Sequence, residues 1–488
     1  MINKRILIVL FLSVSVFVNA QNKQPNILFI AIDDMNDWVG YLGGHPQTIT
    51  PNIDKLSEKG VAFTNAHCSA PGCSPSRNAL LYGIEPFNSG LYPFYEEGLH
   101  KQLMEEYTSL PRLFKENGYT TLGAGKIHHG LKGNPLEWSD YGIITSGKKK
   151  FVDGEGYKIG NGRKMSFRPT HHSEEQHTDH LIASYGIESL QEKHDKPFFL
   201  AVGIVKPHLP FDAPKRFFDA LPEHILAPDI LASDLDDIPA EPNSFRKVGD
   251  DKRFKKDKAW EDVRRSYLAC ISWADYNVGR VLDALEKSDY ADNTIVVLWS
   301  DHGYHLGEKM TFRKFTLWEE ATRVPFIIYD TRAKEKSKNV KTAVSLINIY
   351  KTLAEMADIK TPDYIDGESL VPLLNNPKAT FDYPTLTSWG EGNFSVRTEE
   401  FRYSRYFDGT EELYNHKSDP NEWENLASQS KFDEKKIALA KYLPKEEVPM
   451  VREFISTWSI HGRPKQEYKA ASKKKSKKNK SKKNKKEK

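Results

Sequence analysis

Short runs of apolar residues alternate with amphipathic stretches along most of the chain. The apolar runs have few charges and are rich in β-branched and aromatic side chains, which predicts buried strands of a parallel sheet. Five such strands are predicted: Asn26–Ile32, Tyr119–Ala124, Pro197–Ile204, Thr294–Ser300 and Val324–Tyr329.

The stretches between these runs have the apolar spacing of helices. The clearest lies between Arg264 and Glu286, where apolar residues recur on one helical face. They are Tyr267, Ile271, Ala274, Val278, Val281, Leu282 and Leu285. Further helices are predicted over Ile53–Lys59, Leu110–Asn117, His180–Lys193 and Ser345–Met356. This alternation predicts an α/β fold with a mostly parallel sheet sandwiched by helices.

The pattern changes after about Leu374. The sequence S-V-R-T-E-E-F-R-Y-S-R-Y-F gives near-alternating strand signals, and the D-G pair that follows it predicts a turn. We therefore expect a smaller C-terminal α+β subdomain built on antiparallel strands. Residues 130–178 and 222–262 lack clear periodicity and are predicted to be long surface loops that shape the mouth of a site.

The N-terminus has the features of an export signal. A basic start at Lys4 and Arg5 precedes an apolar stretch over Ile6–Val18 and a small-residue site ending at Ala20. This order is typical of a secretory signal peptide, so we expect cleavage after Ala20 and a periplasmic or secreted protein. No later stretch reaches the roughly 20 apolar residues of a membrane span. No cysteine follows the cleavage site, so we expect no membrane anchor.

The net charge of +3 conceals an asymmetry. Residues 471–488 contain eleven Lys and one Glu, so the mature chain before them is acidic. Such a tail cannot bury apolar surface and is predicted to be disordered. It serves either as a solubilising end or as a weak electrostatic tether to an anionic polymer. An exported protein with an acidic core fits poorly with nucleic-acid binding, so we expect no nucleic-acid partner.

The chain has three cysteines, which are too few for a disulfide scaffold in 488 residues. The sequence leaves open whether Cys68 and Cys270 pair with each other. We expect both to be buried thiols.

Acidic residues follow two of the predicted strands. Asp33 and Asp34 come after the first, and Asp301-His302 follows the fourth. Open α/β sheets place their ligand sites at the carboxyl ends of strands. A lone Asp-Asp pair is more often a solvated loop or a helix cap, but three carboxylates from two strand ends suit a hard divalent cation.

Cys73 opens the run C-S-P-S-R-N-A-L-L-Y-G. A short motif of this kind also recurs by chance, but this chain contains several further motifs. The chain carries Asp33-Asp34, then G-Y-T-T-L-G-A-G-K-I-H-H from Gly118, K-P-H from Lys206 and D-H-G-Y-H-L-G-E from Asp301. In order and spacing these motifs resemble the type I sulfatase family, most closely its iduronate-2-sulfatase-like branch, over almost the whole mature chain.

The resemblance implies an alkaline-phosphatase-like fold and a modified nucleophile. A formylglycine-generating maturation enzyme would oxidise Cys73 to formylglycine, whose hydrated aldehyde is a geminal diol that attacks the sulfate ester. The resemblance also implies Ca²⁺ bound by Asp33, Asp34, residue 73, Asp301 and His302. Histidine is an unusual ligand for calcium, so His302 departs from the expected chemistry.

Further residues take roles by the same resemblance. Arg77 would stabilise the diol, and Lys126 and Lys314 would neutralise the other sulfate oxygens. His129 and His208 would move protons, one at the diol and one at the leaving alcohol. Two alternatives stay open: His128 for His129, because many sulfatases read G-K-x-H, and Arg313 for Lys314.

We therefore expect a sulfatase that hydrolyses sulfate esters on sugars of a sulfated polysaccharide or its oligosaccharides. The substrate would be ulvan or another marine algal polymer, or of the iduronate-2-sulfate type. The predicted domains are a signal peptide over 1–20, a sulfatase catalytic domain over 21–374, a C-terminal antiparallel subdomain over 375–465 and a Lys-rich tail over 466–488.

Two other functions are considered. One is a phosphomonoester or phosphonate hydrolase of the alkaline phosphatase superfamily, which would usually bind two transition metals. The other is a non-catalytic polysaccharide-binding protein on the same scaffold, which would be expected to have lost several of these charged residues.

Overall fold

The computed structural model describes residues 24–95, 97–130, 133–142, 157–158, 164–165, 167–333, 338–453 and 455. The predicted signal peptide and Lys-rich tail lie outside the described residues. Among the helices that are described, none has the length and apolar character needed to cross a membrane.

The centre of the molecule is an eight-stranded sheet. Its strands are β1 (Asn26–Asp33), β2 (Val61–Phe63), β3 (Thr120–Gly125), β4 (Asp140–Tyr141), β5 (Phe198–Pro207), β6 (Thr294–Ser300), β7 (Phe326–Asp330) and β8 (Lys338–Val340). The spatial order is β8-β2-β7-β6-β1-β5-β3-β4. Only β7 runs antiparallel to its neighbours among these eight strands. Each of the five predicted apolar runs forms one of them, so the mostly parallel sheet is confirmed.

Fourteen α-helices occur within the described residues. They are α1 (Pro51–Lys59), α2 (Cys73–Tyr82), α3 (Pro86–Ser89), α4 (Glu97–Glu106), α5 (Leu110–Glu116), α6 (Thr178–Gln191), α7 (Lys215–Asp219), α8 (Ala240–Phe245), α9 (Val248–Lys256), α10 (Trp260–Glu286), α11 (Glu319–Thr322), α12 (Asn348–Met356), α13 (Val371–Asn375) and α14 (Asp433–Ala440). The five predicted helices correspond to α1, α5, α6, α10 and α12, with ends that differ by a few residues.

Helices cover both faces of the sheet, as the apolar pattern of β1 requires. Leu28, Ile30 and Ile32 share a core with α1, α6 and α10. Ile27, Phe29 and Ala31 point to the other face and share a second core with α5 and α12. Because successive side chains of a strand point to opposite faces, only a strand that is apolar throughout can be buried in this way.

The cysteines outside the site are buried thiols, as expected. Cys68 belongs to one of these cores and Cys270 to the other. Since the sheet separates the two cores, these thiols do not meet.

The prediction of a long loop over residues 222–262 is wrong in part, because α8, α9 and the start of α10 lie there. Phe245 and Phe254 are fully buried and fix α8 and α9 to the body of the protein. The ring of Phe254 packs edge-on against Trp260 and Phe312. Two isolated aromatic anchors hold these short helices, so the segment has no extended apolar stripe.

A second sheet follows the main one in sequence. It is an antiparallel meander of β9 (Thr385–Ser388), β10 (Phe394–Arg397), β11 (Phe401–Arg405) and β12 (Glu411–Asn415). Together with α14 it forms the smaller α+β part expected from the sequence. Arg402 of β11 is fully buried and bonds to Glu319 of α11 and to Glu422, which ties this sheet to the main body. The domain boundaries themselves stay predictions.

Two-stranded pairings and single helical turns complete the described structure. The pairings join Ala66–His67 with Val344–Ser345, His305–Leu306 with Phe312–Arg313, and Tyr157–Lys158 with Lys164–Met165. The 3₁₀ turns cover Gly40–Leu42, Glu174–Gln176, Glu308–Met310, Leu426–Ser428 and Ser430–Phe432.

Candidate active site

The two acidic motifs meet because β1 and β6 are parallel neighbours. Asp33 is the last residue of β1, and Asp301 follows the last residue of β6. The backbone N–H of Asp34 donates to Oδ1 of Asp301 over 3.0 Å. Asp34 has a φ of 65°, a left-handed conformation that Asp tolerates better than most residues. All three carboxylates are buried, with exposures of 0 to 1%.

Cys73 is the first residue of α2 and faces these carboxylates. Its Sγ lies 3.2 Å from Nε2 of His302 and 3.6 Å from Oδ1 of Asp34. The helix begins there because Gly72 is extended and Pro75 lies in the first turn, where its missing N–H costs no helical hydrogen bond. Burial raises the pKa of the Cys73 thiol well above its ordinary value, against the lowering by Lys126 and Lys314. An unmodified thiol in this place is therefore protonated and a poor nucleophile.

Arg77 lies one turn further along α2 and is fully buried. Its Nε donates to Oδ2 of Asp301 over 2.7 Å. The remaining guanidinium nitrogens donate to the main-chain carbonyls of Lys126, Ile127 and Ile32, and one lies 3.5 Å from Oδ1 of Asp33. Arg77 thus joins the carboxyl ends of β1, β3 and β6 around the site.

Lys126 and Lys314 bring two ammonium groups to the carboxylates. Nζ of Lys126 donates to both oxygens of Asp33 over 2.7 and 2.6 Å, and Nζ of Lys314 donates to both oxygens of Asp34 over 2.6 Å. Burial lowers the pKa of each lysine, but the neighbouring carboxylate outweighs it, and both pKa values lie above their usual range. Both side chains are therefore cationic.

Two histidines present Nε2 to the same carboxylates. Nδ1 of His302 bonds the carbonyl of Gly303 over 2.9 Å, and Nδ1 of His208 bonds the carbonyl of Leu209 over 2.7 Å. Because a carbonyl only accepts, Nδ1 carries the proton in both rings, and each Nε2 is left with a lone pair when the ring is neutral. Nε2 of His302 lies 3.2 Å from Oδ1 of Asp34, and Nε2 of His208 lies 3.9 Å from its Oδ2.

His208 differs from His302 in accessibility. Its side chain is 35% exposed, whereas that of His302 is fully buried. Desolvation lowers the pKa of His208, and Asp34 and Asp33 only partly oppose this. His208 is therefore the ring of the two that a substrate can reach.

The structure separates His128 from His129. Nε2 of His128 lies 2.9 Å from Oε1 of Glu137, and the His128 side chain is only 3% exposed. The ring of His129 is half-buried and lies 5.0 Å from the ring of Phe94. Phe94 borders Gly72, the residue before Cys73. The geometry thus favours His129 as the site residue.

The structure also separates Lys314 from Arg313. Arg313 forms an ion pair with Asp250 over 2.9 Å, away from the carboxylate cluster, whereas Lys314 bonds Asp34. Lys206, from the K-P-H motif, bonds Asp212 and the carbonyl of Pro210 instead of facing the carboxylates.

Several residues of the site were not found from the sequence. The hydroxyl of Tyr267 donates to the main-chain oxygen of Asp34 over 2.7 Å and accepts from the N–H of Asn36. The Ser76 hydroxyl donates to the carbonyl of Asp301, and the guanidinium of Arg77 stacks on Trp299 at 5.3 Å. Tyr267 was visible only as an apolar position of the helical stripe. Nothing in that pattern marks its hydroxyl as a support for the site.

The donor set fits a hard cation. Ligand atoms of Asp33, Asp34, Cys73 and His208 lie within 4.8 Å of one another, and so do those of Cys73, Asp301 and His302. Together the two groups contain three carboxylates, and hard divalent cations such as Ca²⁺ prefer oxygen ligands. The fully buried His302 is an exception, because it offers a nitrogen ligand where a hard cation prefers oxygen.

Comparison with known proteins identifies the family of the chain. The sulfatase family model matches residues 25–359, and the model of the N-sulphoglucosamine sulphohydrolase C-terminal region matches residues 307–448. A sulfatase of Formosa agariphila is 37% identical over 448 residues, which cover 88% of each chain. Human iduronate 2-sulfatase is 29% identical over 70% of this chain and 71% of its own. An ulvan-active sulfatase of Formosa agariphila is 28% identical over 89% and 83%.

Solved structures share the fold. A protein in complex with its substrate D-glucosamine-2-N,6-O-disulfate has a TM-score of 0.68 at 22% identity, over 86% of this chain and 96% of its own. The phosphonate monoester hydrolase of Agrobacterium radiobacter has a TM-score of 0.69 at 19% identity, over 86% and 94%. The fold is of the alkaline-phosphatase-like type. The matches over most of its length show that the chain belongs to the type I sulfatase family, whose members hydrolyse sulfate esters.

Proposed function

We propose that this enzyme removes sulfate from sugars of a sulfated polysaccharide or its oligosaccharides, with formylglycine at position 73 and Ca²⁺ at the three carboxylates. The observation that carries this proposal is the close approach of Cys73 to Asp34 and His302, which follow the carboxyl ends of β1 and β6.

The formylglycine and the cation would supply chemistry that the unmodified side chains lack. The hydrated aldehyde would provide a hydroxyl nucleophile, and the cation would act as a Lewis acid for the sulfate oxygens. Asp33, Asp34, Asp301 and His302 would hold the cation. Their convergence on residue 73 supports this assignment, since cation and nucleophile must share the sulfate.

The remaining residues would act on charge and protons. Lys126 and Lys314 would bind sulfate oxygens and stabilise the negative charge that builds up as the S–O bond lengthens. Nε2 of His208 would donate a proton to the leaving alcohol from the imidazolium form of the ring and would return to the neutral form. Its partial exposure supports a place next to the substrate. His129 would assist release of sulfate, and Arg77 would hold the carboxylate frame and residue 73 in place.

The sugar is proposed from the relatives. One relative is named an ulvan-active sulfatase and another an iduronate 2-sulfatase. We therefore propose a sulfated polymer such as ulvan, or an iduronate-2-sulfate type of chain, as the substrate. Export through the predicted signal peptide would bring the enzyme to such a polymer.

The test combines mass spectrometry with metal and substrate analysis on one preparation. A tryptic peptide that contains residue 73 should be lighter than the cysteine form by about 18 Da. The protein should contain calcium and should release sulfate from lyase-cut ulvan or uronate-2-sulfate oligosaccharides. Unmodified cysteine in fully active protein would refute the formylglycine. Two equivalents of a transition metal, with phosphonate hydrolysis faster than sulfate release, would favour the phosphonate hydrolase alternative.

A further inference from the structure

Aromatic rings lie against Gly72, the residue before Cys73. A Cβ at Gly72 would lie 3.0 Å from the ring of Trp389 and 3.2 Å from that of Phe94, so both rings are in contact with the residue before Cys73. Phe315 stacks on Trp389 at 5.2 Å and meets Phe94 edge-on at 6.0 Å. Trp389 is buried, whereas Phe94 and Phe315 are half-buried. The exposed part of this wall is therefore made by two phenylalanines.

A lysine from another part of the chain reaches the same wall. Nζ of Lys247 lies 5.1 Å from the centre of the Phe315 ring, and Nζ of Lys314, the sulfate-binding candidate, lies 5.7 Å from it. Phe315 thus has two ammonium groups around it. One of them is already directed to the carboxylate cluster through Asp34.

The backbone fixes Lys247 in this place. Its N–H donates to Oγ1 of Thr311 over 2.7 Å. The preceding residue, Arg246, donates to the carbonyls of Lys309 and Met310 over 2.8 and 3.1 Å. These bonds attach the start of α9 to the segment that carries Lys314, so they fix the position of the Lys247 backbone relative to that segment.

We propose that Lys247 binds a second anionic group of the substrate, a carboxylate or a further sulfate, while the sugar ring packs against Phe94 and Phe315. This inference rests on the proposed function, because it needs a sulfate ester at Cys73. Aromatic walls with a few charged groups are typical of ligand pockets.

The charge environment of Lys247 supports the proposal. Burial and Arg313 lower the pKa of Lys247 to about 7, and Asp250 opposes this only in part. An anion beside the ammonium would offset part of that cost, since it favours the charged form. Lys247 would therefore select doubly anionic sugars over singly anionic ones.

The experiment compares Lys247→Met with Lys252→Met, a control that changes an exposed lysine on the adjoining helix α9. The substrates are a sulfated uronate oligosaccharide, its carboxyl-reduced counterpart, and a neutral sugar with one or with two sulfates. Lys247→Met should lower the ratio of kcat/KM for a doubly anionic substrate over its singly anionic counterpart about tenfold, or about 1.4 kcal/mol. Loss on the uronate pair alone would identify a carboxylate, and loss on the disulfated pair alone a sulfate.

A binding measurement separates this proposal from the proposed function. The affinities of the same sugars for Cys73→Ser and for Cys73→Ser with Lys247→Met should differ in the same ratio. Lys247→Arg should restore most of the selectivity, because it keeps the charge. An equal loss on every substrate would indicate that Lys247 only positions Lys314, and no loss would show that it does not face the sugar; either result overturns the proposal. If the unaltered enzyme hydrolysed no sulfate ester, the proposed function would fail, and the affinities would still decide the role of Lys247.

Discussion

Replacement of Arg77 by lysine should damage the stability and the activity of the enzyme together. Arg77 donates to Asp301, to the carbonyls of Lys126, Ile127 and Ile32, and approaches Asp33. Lysine keeps the charge, but its three donors radiate from one atom on an unforked side chain.

The magnitude follows from the bonds that lysine cannot make. An ammonium group that stays with Asp301 leaves the carbonyls of Lys126 and Ile127 without their donor, whereas the carbonyl of Ile32 still accepts from the N–H of Asp301. Each buried acceptor left without a donor costs about 1–3 kcal/mol. The free energy of unfolding should therefore fall by about 2–6 kcal/mol, although the net charge of the protein is unchanged.

The assay is equilibrium unfolding in urea, followed by tryptophan fluorescence with calcium in excess, alongside kcat/KM for sulfate release. Arg332→Lys is the matched control, since Arg332 makes two hydrogen bonds of 2.8 Å to Asp330 at the surface. Such an exposed pair contributes about 0–1 kcal/mol. If Arg77→Lys destabilised the protein no more than Arg332→Lys, Arg77 would not stabilise the fold by joining the carboxyl ends of β1, β3 and β6.

Three more predictions follow from the same structure. Removal of calcium by a chelator should abolish turnover and lower the melting temperature, which should rise again with calcium concentration; full activity in excess chelator would contradict the cation site. His129→Gln should lower kcat with little effect on stability, whereas His128→Gln should mainly destabilise the fold, because His128 is buried against Glu137; thermal melts and kinetics on both variants check this. Arg402→Met should cost about 3–5 kcal/mol at pH 7, as removal of one partner from a buried ion pair does. Burial raises the pKa of Glu422, but Arg402 and His416 outweigh it and bring the pKa to about 2. The stabilisation from Glu422 is thus complete above its unfolded pKa of about 4.3 and is lost as the pH falls toward 2. The cost of Arg402→Met, measured by urea unfolding at several pH values, should shrink below about pH 4, and a constant cost would contradict the electrostatic account.

The sequence predicted the frame of the site well, for a physical reason. A strand buried on both faces is apolar throughout, so its end is visible as the first charged residue, as at Asp33 and Asp301. Parallel neighbours bring such ends together, and the register of β1 with β6 does so here. The metal-ligand candidates at the strand ends could therefore be predicted from the sequence alone.

The residues that hold the site in place through hydrogen bonds could not be predicted in this way. The bonds of Arg77 to main-chain carbonyls and the bond of Tyr267 to Asp34 depend on tertiary packing, and a carbonyl has no signature in the sequence. The choice between His128 and His129 had the same cause. Glu137, nine residues further along the chain, lies 2.9 Å from Nε2 of His128 and so favours His129 as the site residue.

The choice between Arg313 and Lys314 shows how a distant segment can decide a site. Arg313 and Phe315 have φ values of 84° and 87°, left-handed conformations that cost non-glycine residues about 1–3 kcal/mol each. Strain of this size persists only where other contacts offset it. Here the contacts come from the region that lacked periodicity, since Asp250 binds Arg313 and Arg246 bonds the carbonyls just before it. That region therefore holds the backbone in the conformation that directs the lysine, and not the arginine, to Asp34.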